Sequence, residues 1–534
     1  MNEIKYIDCH ASLGKWANMD AAAPFTAERM LADMERCGIH GALVYHNFAK
    51  ELQPSVGNEK ILEICRQHPR LIPCWVTLPD VSGQAPEGLQ FVRDMEDNGV
   101  RAVKLFPRLH RYALDKRTIG SLLNPLQEAG IPVLIDCGMF LPELEQIRWE
   151  EIAPLSTDFP YLNVILHNVR WEAIRYFVPL LRDFPHLHLE FSSCQGNRYF
   201  EFLIEKVGSD QLLFGTAMMQ KSPGAAKAFV DYSEMSEDDR RKIAGGNLMR
   251  LLKLDAAPAD YPAVEISDKI LWKARNAAPI DDMVVIDSHA HFTEKGRYDI
   301  VDGLMGKSDA AGMIERNQRI GVAITCASPW NGIAGQFESG NESTKQAIRD
   351  FPQRFIGYAT FDPRFVTDWP GELKRCYEDY GMKGMKPYYP RNGVPYNDPL
   401  YEPWFRYGND HHLFALMHMS DRFIREMEDL APKYPEISFI LAHSGWTWKV
   451  AREHSTLAKK YKNVFCEITF TAVTNGIIEY LVQEVGSAKV LYGSDTVMRD
   501  PIPQFGWVVY ADMPEEDKRN ILGRNMQKII DRCL

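Results

Sequence analysis

The stretch VVIDSHAHF at residues 284–292 predicts the fold of this chain. Its first residues are apolar and β-branched, which is typical of a strand buried in a parallel sheet. His289 and His291 stand two residues apart, so on a strand their side chains point to the same face. A similar stretch, YIDCHASLG at 6–14, has Ser12 in the place of the second histidine. The chain therefore carries one strand twice, with one chemically important difference.

The repetition extends along most of the chain, which indicates the tandem duplication of a whole domain. Three further pairs of segments match in the same order: LNVILHNVRW (162–171) with ISFILAHSGW (437–446), LHLEFSS (187–193) with VFCEITF (464–470), and LLFGTAM (212–218) with VLYGSDT (490–496). At 534 residues the chain also exceeds what one hydrophobic core usually fills. We predict a first domain at 1–255, a linker at 256–282 and a second domain at 283–534.

Each half alternates short apolar runs with helical segments. In the second half the predicted strands are VVIDSHAHF, GVAITCAS, FIGYATFD, GMKGMKPYY, LFALMHMS, ISFILAHSG, VFCEITF and KVLYGSD. Between them lie segments such as ESTKQAIRDF and GIIEYLVQEVG, which have helical spacing and polar faces. Eight strand–helix units in roughly 250 residues are typical of a (β/α)8 barrel. The predicted fold class is therefore α/β, with two tandem TIM-like barrels.

The composition argues against several classes of partner. The formal net charge is −11 without a long basic run, which disfavours nucleic acid and anionic membranes. No apolar run approaches the roughly 20 residues of a membrane helix, and the first residues do not resemble a signal peptide. The ten cysteines form no C-x-x-C pair and are expected to be reduced thiols, most of them buried. These patterns predict a cytoplasmic protein.

Ionisable residues concentrate at the ends of the predicted strands in the second half. They are His289, His291, Lys386, His418, His443, Glu467 and Asp495. Each has a structural alternative when taken alone, such as helix capping by Asp495. In barrels, however, chemistry collects at the carboxyl ends of the strands, where all of these residues fall. Three imidazoles and a carboxylate would form a shell for one divalent metal ion, with zinc expected first and manganese or iron as alternatives.

These residues resemble the motifs of a known group, the amidohydrolase superfamily. Within it, the resemblance is to the amidohydrolase-related family that includes aminocarboxymuconate-semialdehyde decarboxylase and the resorcylate decarboxylases. The matching motifs are D-x-H-x-H (287–291), the segment from Asn341 to Gly357, G-x-K-P (384–387), H-S-G (443–445), G-S-D (493–495) and G-x-N (523–525). The resemblance covers both halves, whereas the metal motifs match only from residue 284 onward.

The resemblance implies one divalent metal ion in a distorted barrel. Its ligands would be His289, His291, His418 and Asp495, with His443 as a catalytic histidine beside the metal. Lys386 stands where binuclear relatives carry a bridging carboxylated lysine, but a mononuclear site is the expectation for this family.

Two reactions are compatible with such a site. A bound metal lowers the pKa of water from about 15.7 toward roughly 7. Asp495 could then take the proton of that water, and His443 could stabilise a developing oxyanion. This set would hydrolyse an amide, lactone or ester, which is the leading interpretation. With an aromatic or enoic acid the same set would release carbon dioxide, which is the alternative.

Three arginines lie just beyond strand ends and are candidates for binding a substrate carboxylate, as is Lys386. They are Arg391, Arg422 and Arg499. The structural alternative is that each is a solvent-facing loop residue. A second alternative for the whole chain is a metabolite-binding protein without catalysis, although that function would not need the ionisable groups at the strand ends of the second half.

The first half does not keep the metal shell. The repeat places Ser12, Asp136 and Ala217 at the positions of His291, His418 and Asp495, while only His10 of the predicted ligands is retained. One imidazole and one carboxylate are a poor shell for zinc. Lys104, His167 and Glu190 are also retained.

Two roles are open for the first barrel. One is a metal-free active site that uses His10, Lys104, Asp136 and His167. The other is structural: relatives commonly form dimers, and a fused duplicate would fix the partner's effective concentration. We expect an intrachain pseudo-dimer of barrels, with further homo-oligomerisation left open and a small molecule as the substrate.

Overall fold

The computed structural model describes residues 4–138, 147–258, 261, 266–296, 300–301 and 303–534. It contains two compact units, Met1–Glu265 and Ile266–Leu534. The division falls inside the predicted linker. The later part of that linker belongs to the second unit, because Lys518 donates to Asp268 Oδ2 at 2.6 Å and Glu515 Oε2 accepts from the backbone of Lys269 at 2.8 Å.

The first unit is built on parallel strands. They are β1 (Ile7–Leu13), β2 (Gly41–His46), β3 (Leu71–Pro73), β4 (Trp75–Val76), β5 (Val103–Leu105), β6 (Val133–Asp136), β7 (Val164–His167), β8 (Leu187–Glu190) and β9 (Leu212–Leu213). β1 to β3 pair in order, as do β4 to β9. The residue between β3 and β4 continues the third strand, since the Cys74 amide donates to Val44 at 2.8 Å. The sheet closes where the Cys9 amide donates to Phe214 at 3.0 Å.

Helices follow the strands of this unit. They are α1 (Ala27–Cys37), α2 (Asn47–Glu51), α3 (Pro54–Gln67), α4 (Gly88–Asp97), α5 (Lys116–Ala129), α6 (Ile152–Asp158), α7 (Ile174–Asp183), α8 (Tyr199–Val207), α9 (Pro223–Tyr232), α10 (Glu237–Arg241) and α11 (Asn247–Leu251). A π-helical segment, Lys242–Gly246, joins the last two. Short 3-10 turns lie at Asp80–Ser82, Trp149–Glu151 and Trp171–Ala173.

The second unit forms an eight-stranded parallel sheet in sequence order. Its strands are β10 (Val285–Phe292), β11 (Val322–Pro329), β12 (Phe355–Ala359), β13 (Gly384–Met385), β14 (Phe414–Met417), β15 (Ser438–Leu441), β16 (Val464–Glu467) and β17 (Val490–Leu491). All eight predicted strands are therefore present. The last strand returns to the first, because the Ser288 amide donates to Tyr492 at 3.0 Å. The prediction of a parallel barrel fold for both halves is confirmed.

Helices also alternate with the strands here. They are α12 (Lys269–Arg275), α13 (Ala310–Gln318), α14 (Trp330–Ile333), α15 (Phe337–Asp350), α16 (Trp369–Leu373), α17 (Tyr389–Asn392), α18 (Glu402–Asp410), α19 (Phe423–Lys433), α20 (Trp448–Lys460), α21 (Ile477–Val485), α22 (Pro501–Val509), α23 (Glu515–Arg519) and α24 (Asn525–Arg532). π-Helical segments span Lys374–Asp379 and Asn520–Arg524, and 3-10 turns span Pro399–Tyr401 and Ser487–Lys489.

The aspartate of the repeated phrase explains why that phrase occurs in both units. Asp287 accepts hydrogen bonds from the amides of His289 at 3.1 Å and Ser494 at 3.0 Å, and so joins the first strand to the loop after the last. Asp8 makes the equivalent bonds to His10 at 2.8 Å and Thr216 at 3.0 Å. Each barrel is therefore closed at its carboxyl end by a buried carboxylate, which sets the position of the residues that follow.

Two further sequence expectations concern cysteines and membranes. All ten cysteines are free thiols, and nine are buried while Cys533 is partly exposed. Among the described residues, no helix combines the length and apolar character that crossing a membrane requires.

Candidate metal centre

Three predicted ligands meet at the carboxyl end of the second barrel. His291 Nε2 lies 3.2 Å from Asp495 Oδ1, and His289 Nε2 lies 3.6 Å from the same oxygen. The three side chains are almost fully buried. The two histidines come from β10, whereas Asp495 follows β17 in a left-handed backbone conformation with φ of 61°. These residues form a group whose ligand atoms lie close enough to hold one metal ion.

The outer nitrogen of each ligand imidazole has a partner of its own. His289 Nδ1 lies 2.9 Å from Glu467 Oε2, and His291 Nδ1 lies 2.8 Å from Ser328 Oγ. A carboxylate accepts the Nδ1 proton of His289, which leaves the Nε2 lone pair directed at Asp495. Donation by His291 to the serine hydroxyl has the same result. Such outer partners hold a metal-binding imidazole in the required tautomer and orientation.

His443 and His418 lie beside this group. His443 Nδ1 is 3.2 Å from the Thr469 carbonyl, and His418 Nδ1 is 3.2 Å from the Met419 carbonyl. A carbonyl only accepts, so both rings carry the proton on Nδ1 and present a lone pair at Nε2. The rings of His443 and His418 lie 4.8 Å apart, and those of His443 and His289 lie 5.1 Å apart. His418, the fourth predicted ligand, thus lies beside His443 and outside the group formed by the other three.

Burial keeps these imidazoles neutral. It is the main reason why the pKa values of His289, His291 and His443 lie well below the ordinary value of histidine. The nearby Lys386 lowers them further, and burial lowers the pKa of Lys386 itself to about 7. Burial also raises the pKa of Glu467 to about 7, although bonds from Thr469 oppose this. The site therefore offers neutral nitrogen ligands, the form that binds a metal.

The donor set fits one divalent cation. Two imidazole lone pairs lie within 3.6 Å of one carboxylate oxygen. Lys386 and Arg499 approach this group, and a divalent cation among the three acceptors would offset their mutual repulsion. Imidazole and carboxylate are common ligands of zinc, and of manganese or iron in related geometries. A second group of possible ligand atoms joins His289 to His443 and Glu467. Because Glu467 already binds the Nδ1 of His289, we regard it as an outer partner of the first group.

The predicted substrate-binding cations fall in two environments. Arg499 is buried, and its guanidinium is paired with the carboxylate of Asp495 and bonded to the hydroxyl of Thr471. Arg391 and Arg422 are exposed. The fourth, Lys386, is buried, with Nζ 3.4 Å from His289 Nε2. Only Arg499 and Lys386 therefore lie at the predicted metal group.

The first barrel gathers the counterparts without forming a metal-ligand group among its described residues. Lys104 Nζ lies 2.9 Å from His10 Nε2, 3.1 Å from His167 Nδ1 and 3.4 Å from Asp136 Oδ2. Ala217 keeps the left-handed backbone of Asp495, with φ of 57°. The repeat thus preserves the loop conformation, while the carboxylate that would complete a metal shell is missing.

Sequence reasoning did not predict the outer hydrogen-bond partners of the two β10 histidines. The pattern of strand-end residues identified Glu467, but not its bond to His289, because the two residues lie on strands that are distant in sequence. Ser328 was missed altogether, since a serine that ends a strand has no distinctive signature. A search for polar residues in register with His291 on β11 would have found it, because these two residues are paired across the strands.

Solved structures resemble parts of the chain at low identity. An uncharacterised TIM-barrel protein from Bordetella bronchiseptica is 20% identical, with a TM-score of 0.36, over 47% of this chain and 98% of its own. The 4-oxalomesaconate hydratase of Rhodopseudomonas palustris is 19% identical, with a TM-score of 0.35, over 47% and 96%. The 5-carboxyvanillate decarboxylase of Novosphingobium aromaticivorans, determined with manganese and 4-hydroxy-3-methoxy-5-nitrobenzoic acid, is 14% identical, with a TM-score of 0.38, over 46% and 96%.

Family membership follows from sequence. No curated protein matches the chain. The amidohydrolase family model matches it twice, at residues 7–254 and 286–531, which together account for most of its length. The two matches coincide with the two barrels and begin at the two copies of the Asp-x-His strand. The chain therefore belongs to the amidohydrolase family of enzymes, with one copy of the family domain in each half.

Proposed function

We propose that the second barrel is a metal-dependent hydrolase that cleaves a C–N or C–O bond of a small molecule, such as an amide, lactone or ester. The observation that carries this proposal is the convergence of His289, His291 and Asp495 at the carboxyl end of the barrel. We assign no comparable role to the first barrel, where Ser12 and Ala217 replace two of these groups.

His289, His291 and Asp495 would hold one divalent ion, with His418 as a further ligand. When bound, such an ion supplies a Lewis acid that lowers the pKa of water and polarises a substrate oxygen. Zinc is our first choice, with manganese or iron as alternatives. Glu467 and Ser328 orient the two imidazoles of β10 and so hold their Nε2 atoms toward the ion.

We assign proton transfer to Asp495 and His443. Asp495 is the only carboxylate in the first ligand group, and Arg499 beside it favours its ionised form. Because the Nδ1 proton of His443 is committed to the Thr469 carbonyl, its neutral Nε2 accepts a proton. We therefore assign His443 first as a proton acceptor toward the attacking water, and as a stabiliser of an oxyanion only after it is protonated.

A second candidate is the decarboxylation of an aromatic or enoic acid. The buried guanidinium of Arg499 favours it, because a buried cation beside the predicted metal group would bind a substrate carboxylate. In that reaction the carboxylate leaves as carbon dioxide, and the ring or alkene carbon takes a proton in its place. Asp495 or His443 would deliver that proton.

A paired assay separates the two reactions. The whole chain, loaded with zinc or manganese, is offered panels of lactones, esters, amides and aromatic acids. Product analysis reports either hydrolysis or release of carbon dioxide. We expect turnover of at least one substrate class, its loss in the His289→Ala/His291→Ala chain, and its retention in the His10→Ala chain. The reverse pattern, with the His10 variant inactive and the double variant active, would move the active site to the first barrel.

A further inference from the structure

The first barrel places an ammonium group at the centre of its strand ends. Lys104 lies within β5 and is fully buried. Its Nζ is within 3.4 Å of three acceptor atoms, on His10, His167 and Asp136. An ammonium has three N–H donors, so each proton can meet one acceptor. The group is therefore fully bonded without any other cation.

These acceptors have counterparts in the second barrel. By the repeat, His10, Asp136 and His167 correspond to three histidines of the second barrel, which are His289, His418 and His443. In the first barrel the acceptors surround Lys104, which itself corresponds to Lys386. The ammonium thus occupies the middle of the equivalent side-chain set.

The two lysines behave differently. Lys386 Nζ approaches the nitrogen of His289 at 3.4 Å, and the described residues give it no carboxylate within salt-bridge distance. Lys104 has two imidazoles and the carboxylate of Asp136. The presence of a carboxylate at residue 136, in place of the histidine of the second barrel, supplies the counter-charge that keeps a buried ammonium in place.

The tautomer of His10 supports this arrangement. Its Nδ1 lies 3.3 Å from Glu190 Oε1, so that nitrogen carries the proton and Nε2 presents a lone pair to Lys104. Glu190 is held in turn by the backbone amides of Asn168 at 2.8 Å and Ser192 at 2.7 Å. Burial raises the pKa of Asp136, but the positive charge of Lys104 and the other nearby groups together, among them the hydrogen-bonding Asn168, outweigh it, so the pKa lies below its ordinary value.

A second, independent exchange concerns the position of the ligand His291. In the second barrel His291 pairs across the strands with Ser328, a large residue opposite a small one. In the first barrel Ser12 pairs with Tyr45, so the small residue and the large one have changed places. The ring centroid of Tyr45 lies 4.8 Å from Lys104 Nζ. An aromatic face there also stabilises the ammonium.

We propose that Lys104 is an internal cation that replaces the metal ion in the first barrel and covers a latent metal site formed by His10, His167 and Asp136. The ammonium is bonded to His10 and Asp136, which stand at the positions of two predicted metal ligands, and to His167 beside them. Two imidazoles and a carboxylate are ligands that a divalent ion accepts, and removal of the ammonium would leave these three groups free to move together around one ion. This inference goes beyond the proposed function and does not depend on the reaction of the second barrel.

Cobalt binding to the full-length chain tests the proposal. The His289→Ala/His291→Ala substitutions first remove binding by the second barrel. Lys104→Ala is then added, and Co²⁺ is titrated while its visible absorption and the metal content after desalting are recorded. We expect no retained cobalt in the parent and about one equivalent after Lys104→Ala. Lys104→Arg, which keeps the cation, is the matched control and should retain none.

A further variant assigns the gained ion to the first barrel. Adding His10→Ala to the Lys104→Ala chain should abolish the gain, because it removes one of the three ligands. The proposal is overturned if the parent already retains cobalt that His10→Ala removes. It is also overturned if the Lys104→Ala chain shows the circular dichroism of the parent and yet binds no cobalt.

Lys104→Gln provides the same test if the alanine variant does not fold, since the amide keeps most of the side-chain volume without the charge. If neither variant folds, cobalt retention by the His289→Ala/His291→Ala parent chain decides the outcome. Retained cobalt that depends on His10 overturns the proposal. The absence of retained cobalt, together with loss of folding on removal of the charge and its preservation in Lys104→Arg, supports the internal cation.

Discussion

His291 Nε2 lies 3.2 Å from Asp495 Oδ1, which joins the first strand of the second barrel to the loop after its last strand. Both atoms are acceptors when the histidine is neutral and the aspartate is ionised. Burial favours the neutral histidine, and Arg499 favours the ionised aspartate. This contact is the geometric basis for placing a cation between the two side chains.

Removal of the two β10 histidines should abolish metal binding by the second barrel. The His289→Ala/His291→Ala chain loses two of the three nitrogen and oxygen ligands that converge there. We expect about one equivalent of zinc or manganese in the wild-type chain and close to none in the variant. Metal analysis after desalting measures this. A variant that keeps the wild-type content would show that the ion binds elsewhere.

Glu467→Gln should weaken metal binding without abolishing it. The carboxylate accepts the Nδ1 proton of His289, and loss of its charge makes Nε2 a weaker ligand. Loss of such an outer partner commonly costs about 10-fold to 100-fold in metal affinity. Competition with a chelator gives the affinity. An unchanged affinity would mean that His289 is not a ligand or does not depend on Glu467.

Arg499→Gln should discriminate between the two candidate reactions. If the substrate carries a carboxylate that binds Arg499, loss of a charged hydrogen bond raises KM by about 10-fold to 100-fold. Neutral lactones or esters should show a much smaller change in KM. Arg422→Gln is the matched control, because that arginine is exposed. Equal effects of both substitutions would remove Arg499 as the carboxylate-binding residue.

His454 should make the second barrel less stable in acid. It is buried in α20 with Nδ1 2.9 Å from Ser444 Oγ, and burial lowers its pKa to about 3. An unfolded histidine titrates near 6.5, so the unfolded state binds more protons between these values. The contribution of neutral His454 to the free energy of unfolding is therefore complete above about pH 6.5. It falls by about 1.4 kcal/mol per pH unit as the pH drops toward 3.

Calorimetry of the wild-type and His454→Gln chains at pH 7.5 and pH 5 measures this dependence. The second-barrel transition of the wild-type chain should shift further downward on acidification than that of the variant, by about 2 kcal/mol of unfolding free energy. Glutamine can still donate to Ser444 but does not titrate. Parallel shifts in both chains would show that His454 does not titrate on unfolding in this range.

The sequence was sufficient for the fold because the fold depends on local pattern. Apolar runs such as those of β10 and β14, separated by amphipathic helices, predict parallel strands wherever they occur. The duplication provided a second copy of the same pattern. Asp8 and Asp287 occupy equivalent positions, where the first strand of each barrel is bonded to the loop after the last strand. The strand ends also limited the candidate ligands to a few residues, because chemistry in barrels collects at one face.

Contacts between distant strands could not be predicted in the same way. The pairing of His289 with Glu467, and that of Arg499 with Asp495, depend on side-chain rotamers and on loop geometry after the strands. Sequence patterns contain no information on the dihedral angles that set these rotamers and loops. For the same reason three arginines were equivalent candidates in the sequence, whereas only Arg499 is buried at the predicted ligand group.

The sequence by itself determined that this chain consists of two barrels and that only the second keeps the histidine pair with a matching aspartate. The periodicity of apolar residues and the identity of Ser12 and Ala217 were enough for both conclusions. Only the tertiary structure decided what the changed barrel contains in place of the lost ligands. Lys104, His10 and Asp136 meet because the curvature of the closed sheet brings three strand ends within hydrogen-bonding distance.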